Sequence, residues 1–372
     1  MTPVLDLGEI RITDIPRVGP KMARLGQLAS AGWPVPDGYA VPVEALDGWL
    51  SAATRAELAR LFAGQEHDPA TLQRLSERAQ ALILEQELPG WLEDAVRLAH
   101  ERLRQRTGLG AGLRVAVRSS AVGEDGGSAS FAGQFGTYLG ISEVADVLHH
   151  IRKCWASGYT PHALEYRRQI GKSPLHSHDL AVGVLQLIDV RSAGVVFTLD
   201  PVTGDRGRLV VEANWGFGES VVSGQVTPDH WEVDRASGQI ITRRVGAKHE
   251  WSVFEPAAGR VVFSPLPAGL AGQPCLDDDE VRYLCEKAAE IERHEGVPQD
   301  VEWAIARDRS LPGSVFFLQH RPETTWLTPA GEGEPPEAAP APPAPPAAPA
   351  AAAKPFDPVQ YALRNVFKVP GA

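Results

Sequence analysis

The sequence predicts an α+β fold of two lobes, and three observations carry that expectation. Apolar residues recur at helical spacing through residues 45–106. Apolar runs of strand length, separated by turn residues, fill most of residues 180–322. In chain order the pattern is one lobe of helices and strands followed by a sheet-rich lobe, which reads as α+β. A chain of 372 residues is long enough for two domains, or for one domain built of two lobes.

In "GPKMARLGQLASAG" Met22, Leu25, Leu28 and Ala29 mark a helix that ends at Gly32. "WPVPDGYAVPVEAL" is a turn and a short strand. "AELARLF", "TLQRLSERAQALILEQ" and "WLEDAVRLAHERLRQR" each carry one apolar face, as packing helices do. A β-rich run at Val115–Val117 enters a Gly/Ser/Asp loop and re-emerges as a second strand. "DLAVGVLQLIDVRSAGVVFTLDP" holds two strands around a polar bend, and strands and turns continue through residue 244. "DDDEVRYLCEKAAEIERHEG" is a capped amphipathic helix. "QDVEWAIARDRSLPGSVFFLQHRP" reads as two strands forming a hairpin.

Composition narrows the function. With 43% hydrophobic and 22% charged residues the chain has a soluble, globular composition. A net charge of −11, from 36 basic and 47 acidic residues, argues against general nucleic-acid binding. Cys154, Cys275 and Cys285 lack metal-ligand spacing and are odd in number, which favours a reducing compartment. The first residues lack a signal-peptide pattern, and no apolar run reaches the roughly 18 residues that span a bilayer. The expected location is the cytoplasm.

Three features point to one ligand chemistry. Asp300 and Glu302 lie two apart on a strand, so their side chains share a face. Gln319 and Arg321 do the same on the facing strand. Two carboxylates, an amide and a guanidinium suit Mg²⁺ held against a polyphosphate, although a solvated ion-paired face has the same composition. Arg118 precedes a loop of small residues whose N–H groups can approach phosphate closely, and such loops also serve as plain connections. Lys21 near a helix start adds a third cation. Together these residues indicate nucleotide phosphates and magnesium.

The segments "VGPKMARLGQLASAGWPVPDGYAVP", "VAVRSSAVGEDGGSASFAGQFGTYLG", "AGVVFTLDPVTG", "ANWGFGESVVSGQVTPDHWEV" and "DVEWA…FFLQHRPETTW" resemble the ATP-binding domain of the phosphoenolpyruvate synthase and pyruvate phosphate dikinase family, over roughly residues 10–327. The resemblance implies an ATP-grasp fold, in which two α+β lobes clamp ATP. The expected lobes are 1–183, with a helical insert at about 45–106, and 184–327. By motif, Lys21 and Arg118 resemble the family's phosphate-binding pair, and Gly133, Gln134 and Thr137 lie on the loop that closes over the phosphates. Gln186, Leu187 and Ile188 sit where the family offers backbone groups to adenine. Glu219 is an expected ribose or adenine contact. Glu302 and Gln319 resemble the magnesium ligands, with Asp300 beside them and Arg321 on the phosphates. Pro20 departs from relatives that have a glycine there, and proline removes one N–H from the phosphate cradle.

The resemblance implies transfer of the β-phosphoryl group of ATP to a histidine, with release of AMP and phosphate. None of the eleven histidines stands in the family's "GG-x-TSH" context, and His320, next to Gln319, points to the opposite strand face. The expected acceptor is therefore a separate histidine-bearing phosphotransfer subunit. In extent the match resembles the ATP-binding subunit of split, phenol-phosphorylating systems, the phenylphosphate synthases. A pyruvate- or rifampicin-directed enzyme and a non-catalytic ATP-binding subunit are the alternatives.

From Pro335 to Ala353 every residue but Glu337 is proline or alanine. The expected linker, 328–355, contains this extended stretch, whose reach is roughly 60 Å. Beyond it, Val359, Ala362, Leu363, Val366 and Phe367 form an apolar stripe, and Asp357 with Pro358 suits a helix start. Residues 356–372 are expected to form a docking helix for the partner, or to dock back on the chain's own body.

Overall fold

The expected helices and strands build two large antiparallel sheets, each with a helical cover. The computed structural model describes residues 3–63, 68–123, 136–169, 179–222, 224 and 226–326. Residues Gly133 and Gln134, the linker 328–355 and the segment 356–372 lie outside the described residues.

The first sheet contains β1 (Leu5–Asp6), β2 (Gly38–Val41), β3 (Val115–Ala121), β4 (Thr137–Ile141) and β5 (Leu180–Gln186), in the order β1-β2-β5-β3-β4. One face packs against α2 (Val43–Trp49), α3 (Ala52–Leu61), α4 (Pro69–Glu85), α5 (Gly90–Thr107), α6 (Val144–Ser157) and α7 (Pro161–Gln169). Their apolar stripes meet Tyr39, Val41, Val115, Val117, Val182 and Val184. The helical periodicity of residues 45–106 is thus a packing signal. The other face takes α1 (Ile15–Ser30), whose Val18, Met22 and Leu25 bury Ala40, Ala181 and Leu185. A Cβ on Gly183 would lie 2.3 Å from Met22 Sδ, so α1 rides directly on β5. With both faces covered, β5 reads as a continuous apolar run.

The second sheet has the order β13-β12-β6-β7-β8-β9. Its strands are β6 (Val190–Phe197), β7 (Arg208–Trp215), β8 (Asp229–Asp234), β9 (Ile240–Arg244), β12 (Gln299–Ala306) and β13 (Val315–Pro322). The chain changes sheet at residues 187–189. One face is covered by α9 (Asp278–Glu295), whose Val281, Leu284, Ala288 and Ile291 pack on Val211, Trp231, Trp303 and Phe317. Asp277 and Glu280 form a reciprocal capping box at its start, and Gly296 ends it in the left-handed conformation. Leu28 of α1 joins this second core, so α1 touches both sheets. A short helix α8 (Glu219–Val222) and a ribbon of β10 (Glu250–Glu255) and β11 (Arg260–Pro265) lie beside the junction. The architecture is the two-lobed α+β arrangement of an ATP-grasp fold.

A buried ion pair ties the second lobe together. Lys248 Nζ contacts Asp229 Oδ1, and neither side chain reaches solvent. Gly246 and Cys275 donate their N–H groups to the two carboxylate oxygens at 2.8 Å each. Lys248 also donates to the Gln273 carbonyl at 3.0 Å. Among the described residues no helix is long and apolar enough to cross a membrane.

Candidate functional site

The hairpin of β12 and β13 sets the expected side chains opposite one another. Asp300 pairs with Arg321 and Glu302 with Gln319. The register then slips, because Trp303 pairs with Phe317 and leaves Leu318 as an extra residue. A bulge of this kind bends the strand and re-aims side chains. His320 points away from this face, as its strand position predicts. It is buried and bonds Gln299 Oε1 through Nδ1 at 3.0 Å, and burial pushes its pKa down to about 4.

Across the gap between lobes, Arg118 Nη2 donates to Gln319 Oε1 at 2.6 Å. Arg118 sits in the middle of β3 rather than at the end of a strand, because β3 runs on to Ala121. Thr137, the first residue of β4, pairs directly with Arg118. Arg321 Nε donates to Asp300 Oδ2 at 3.1 Å, while Asp300 Oδ1 and Arg118 Nε are buried without hydrogen-bond partners among the described residues. Burial pushes the Asp300 carboxyl up to about 6 against the opposing pull of Arg321.

Lys21 is reached by a different device. Gly19, at φ 71° and ψ 163°, breaks the helical path, and Pro20 follows at a position where a missing N–H costs no intrahelical bond. Lys21 is therefore the second residue of the straight part of α1. The Pro20 departure fits a helix start.

Gln186, Leu187 and Ile188 form the crossing between lobes. Gln186 N–H donates to the Asp37 carbonyl at 2.7 Å and Leu187 N–H to the Arg114 carbonyl at 2.8 Å. Ile188 is the one of the three whose N–H makes no main-chain hydrogen bond among the described residues. Leu187 and Ile188 join an apolar cluster with Leu139, Phe217, Phe254, Phe316 and Leu318, drawn from both lobes and the ribbon. The Arg114 guanidinium lies 4.2 Å from the centroid of the Phe254 ring. Glu219 opens α8 and accepts from Ser252 Oγ at 3.4 Å, and burial raises its pKa. Phe217 N–H donates to the Ser252 carbonyl at 2.8 Å, tying this turn to the ribbon.

The geometry brings Arg118, Thr137, Asp300, Glu302, Gln319 and Arg321 to one place, and sets Leu187 and Ile188 in the apolar cluster. Sequence reasoning missed Leu318, Phe254 and Ser252, which the bulge and the ribbon deliver. It also missed the continuation of the Glu302 row across the sheet through Val195 and Glu212 to His230. His230 Nδ1 lies 3.5 Å from Glu212. Period-two alternation within "VVEANW" and "DHWEV" carried that signal. A separate groove of about 1000 Å³ lies on the α9 side of the second sheet, lined in part by Arg235, Arg243 and Arg282, and holds none of the expected residues.

Hard oxygens from Glu302 and Gln319 fit a small divalent cation, and the orphaned Asp300 Oδ1 adds a third beside them. Among the described residues no group of three His, Cys, Asp or Glu side chains is placed to hold a metal. Such a small oxygen set suits Mg²⁺ that takes its remaining ligands from phosphates and water.

Residues 15–339 match the family model described as pyruvate phosphate dikinase, AMP/ATP-binding domain. The probable phosphoenolpyruvate synthase of Staphylothermus marinus is 36% identical over 342 residues, covering 86% of this chain and 41% of that protein. The phosphoenolpyruvate synthase of Aeropyrum pernix is 33% identical over 366 residues, covering 90% of the chain and 44% of the relative. The prodigiosin synthesizing transferase PigC of Serratia marcescens is 34% identical over 329 residues, covering 88% and 34%. The chain thus spans less than half the length of these relatives.

Proposed function

The chain belongs to the pyruvate phosphate dikinase AMP/ATP-binding domain family, and from that premise we propose that the face between its two lobes binds Mg-ATP for phosphoryl transfer. The observation that carries this reading is the meeting of Arg118 with Gln319 across the lobes, with Glu302 directly opposite Gln319. In this reading Lys21, Arg118 and Arg321 neutralise and orient the phosphates, Arg321 through a planar fork of donors. Glu302 and Gln319 hold Mg²⁺, with Asp300 beside them. Bound there, Mg²⁺ neutralises charge on the phosphate oxygens. The backbone of Ile188 and the apolar cluster around Leu187 receive the base, and Glu219 meets the ribose or adenine. Positioning and charge neutralisation make up most of what phosphoryl transfer needs from a protein.

The β-phosphoryl group passes to a histidine of a separate subunit, and the γ-phosphate leaves as phosphate after reaction with water, so that ATP, water and histidine become AMP, phosphate and phosphohistidine. The final acceptor in this reading is phenol, as in the phenylphosphate synthases. Residues 356–372, with their apolar stripe, hold the partner at high effective concentration. The relatedness to phosphoenolpyruvate synthases favours a second reading, in which the acceptor is pyruvate.

Incubation with Mg-ATP and the histidine-bearing subunit tests the reaction. The reading expects phosphohistidine on the partner, with AMP and phosphate formed. ADP as the product overturns it. AMP release that depends on phenol supports the first acceptor, and dependence on pyruvate supports the second. Lys21→Ala, Arg118→Ala and Glu302→Ala each lower phosphorylation of the partner sharply while the fold is kept, and deletion of 356–372 weakens the complex but spares ATP binding.

A further inference from the structure

Ser120 lies where β3 meets the start of α1. It is fully buried. On β3, Val115, Val117 and Ala121 turn to the helical layer, so Ala116, Arg118 and Ser120 share the face that α1 covers. Arg118 and Ser120 are thus neighbours on one face, about 7 Å apart along the strand.

Two contacts fix α1 on Ser120. A Cβ built on Gly19 would lie 2.6 Å from the Ser120 carbonyl oxygen and 2.4 Å from its Oγ, so the corner that starts the helix is pressed onto this residue. Gly19 is held at positive φ, where a side chain is also strained. Met22 N–H, in the first turn after the Gly19 break, donates to Ser120 Oγ at 3.4 Å. Ser120 therefore serves α1 as an N-cap supplied from another element, in a helix whose first residue, Pro20, has no N–H. Lys21 lies between Pro20 and Met22, inside that anchored corner.

We propose that Ser120 is a positioning residue that sets the spacing between Lys21 and Arg118, and so the fit of the polyphosphate between them. The proposal rests on the nucleotide reading above. A side chain as long as lysine delivers its charge to a fixed point only if the backbone around it is held, and Ser120, which holds the next residue Met22, stands two residues from the other cation.

The test is calorimetric titration of the full chain with Mg-ATP and with adenosine, which lacks the phosphates. Ser120→Ala is expected to weaken Mg-ATP about tenfold, the scale of a lost cap, and to leave adenosine unchanged. In a double-mutant cycle its loss and that of Lys21→Ala should not multiply, because both act through the same amine. Ser120→Thr, which keeps the acceptor, should restore most of the affinity. Equal weakening of ATP and adenosine, no weakening at all, or full multiplication with Lys21→Ala overturns the proposal. Should Ser120→Ala fail to fold, Ser120→Cys keeps the volume, weakens the acceptor and carries the same comparison. Wild-type protein that binds no ATP overturns the nucleotide reading itself, whereas normal binding by wild type and Ser120→Ala alike overturns this inference alone.

Discussion

Arg118 Nη2 donates to Gln319 Oε1 at 2.6 Å, across 201 residues of sequence and from one sheet to the other. This bond joins a candidate phosphate cation to a candidate metal ligand, so the two lobes already meet at the place where the chemistry is proposed. Arg118→Ala and Gln319→Ala should show a coupling of about 1 kcal/mol in unfolding free energy when combined, measured by denaturant titration of the two single variants and the double. Additive effects would mean that the bond contributes nothing to joining the lobes.

Asp300 gives the site a pH signature. Its folded pKa of about 6 lies above the ordinary aspartate value near 4, chiefly through burial. Between those values the folded chain holds a proton that the unfolded chain has released. The Asp300 contribution to stability is therefore complete below about pH 4 and is lost as pH rises through 6. Asp300→Asn, which stays neutral, should remove that loss. The difference in unfolding free energy between variant and wild type should shift by up to about 3 kcal/mol from pH 4 to pH 7 in favour of the variant. Chemical denaturation at the two pH values measures it.

The ion pair of Lys248 and Asp229 is predicted to be structural. Lys248→Met leaves a buried carboxylate without its cation and should cost about 3–5 kcal/mol. The double variant Lys248→Met with Asp229→Asn removes both charges and should recover much of that loss. Unfolding free energies of the three variants test it, and a silent Lys248→Met would show the pair to be dispensable.

Much of this was legible in the sequence, and the rest was not for physical reasons. Period-two spacing put Asp300 with Glu302 and Gln319 with Arg321 on shared faces, and the hairpin delivers them in facing pairs. The same alternation turned His320 away. What spacing does not carry is contact between distant segments. The approach of Arg118 to Gln319, the seating of Gly19 on Ser120 and the arrival of Phe254 beside Leu187 and Ile188 depend on how two sheets, a helix and a ribbon pack. Sequence reasoning also ended the strand of Arg118 too early, because Ser119 and Ser120 look like loop residues. In the fold both are buried in β3, Ser120 against the start of α1. Lys248 and Asp229 carry no signal of pairing in the sequence for a similar reason, since a charged residue in a strand-and-turn region reads as exposed until its partner is seen.

The most direct test of the central claim is calorimetric titration of the chain with ATP, with and without Mg²⁺, in wild type and Glu302→Ala. Binding of one ATP per chain, tightened about tenfold or more by Mg²⁺ in the wild type and not in Glu302→Ala, is the result predicted for phosphates and metal held on the Glu302–Gln319 face. No binding of ATP, or a Mg²⁺ effect that survives intact in Glu302→Ala, would contradict it.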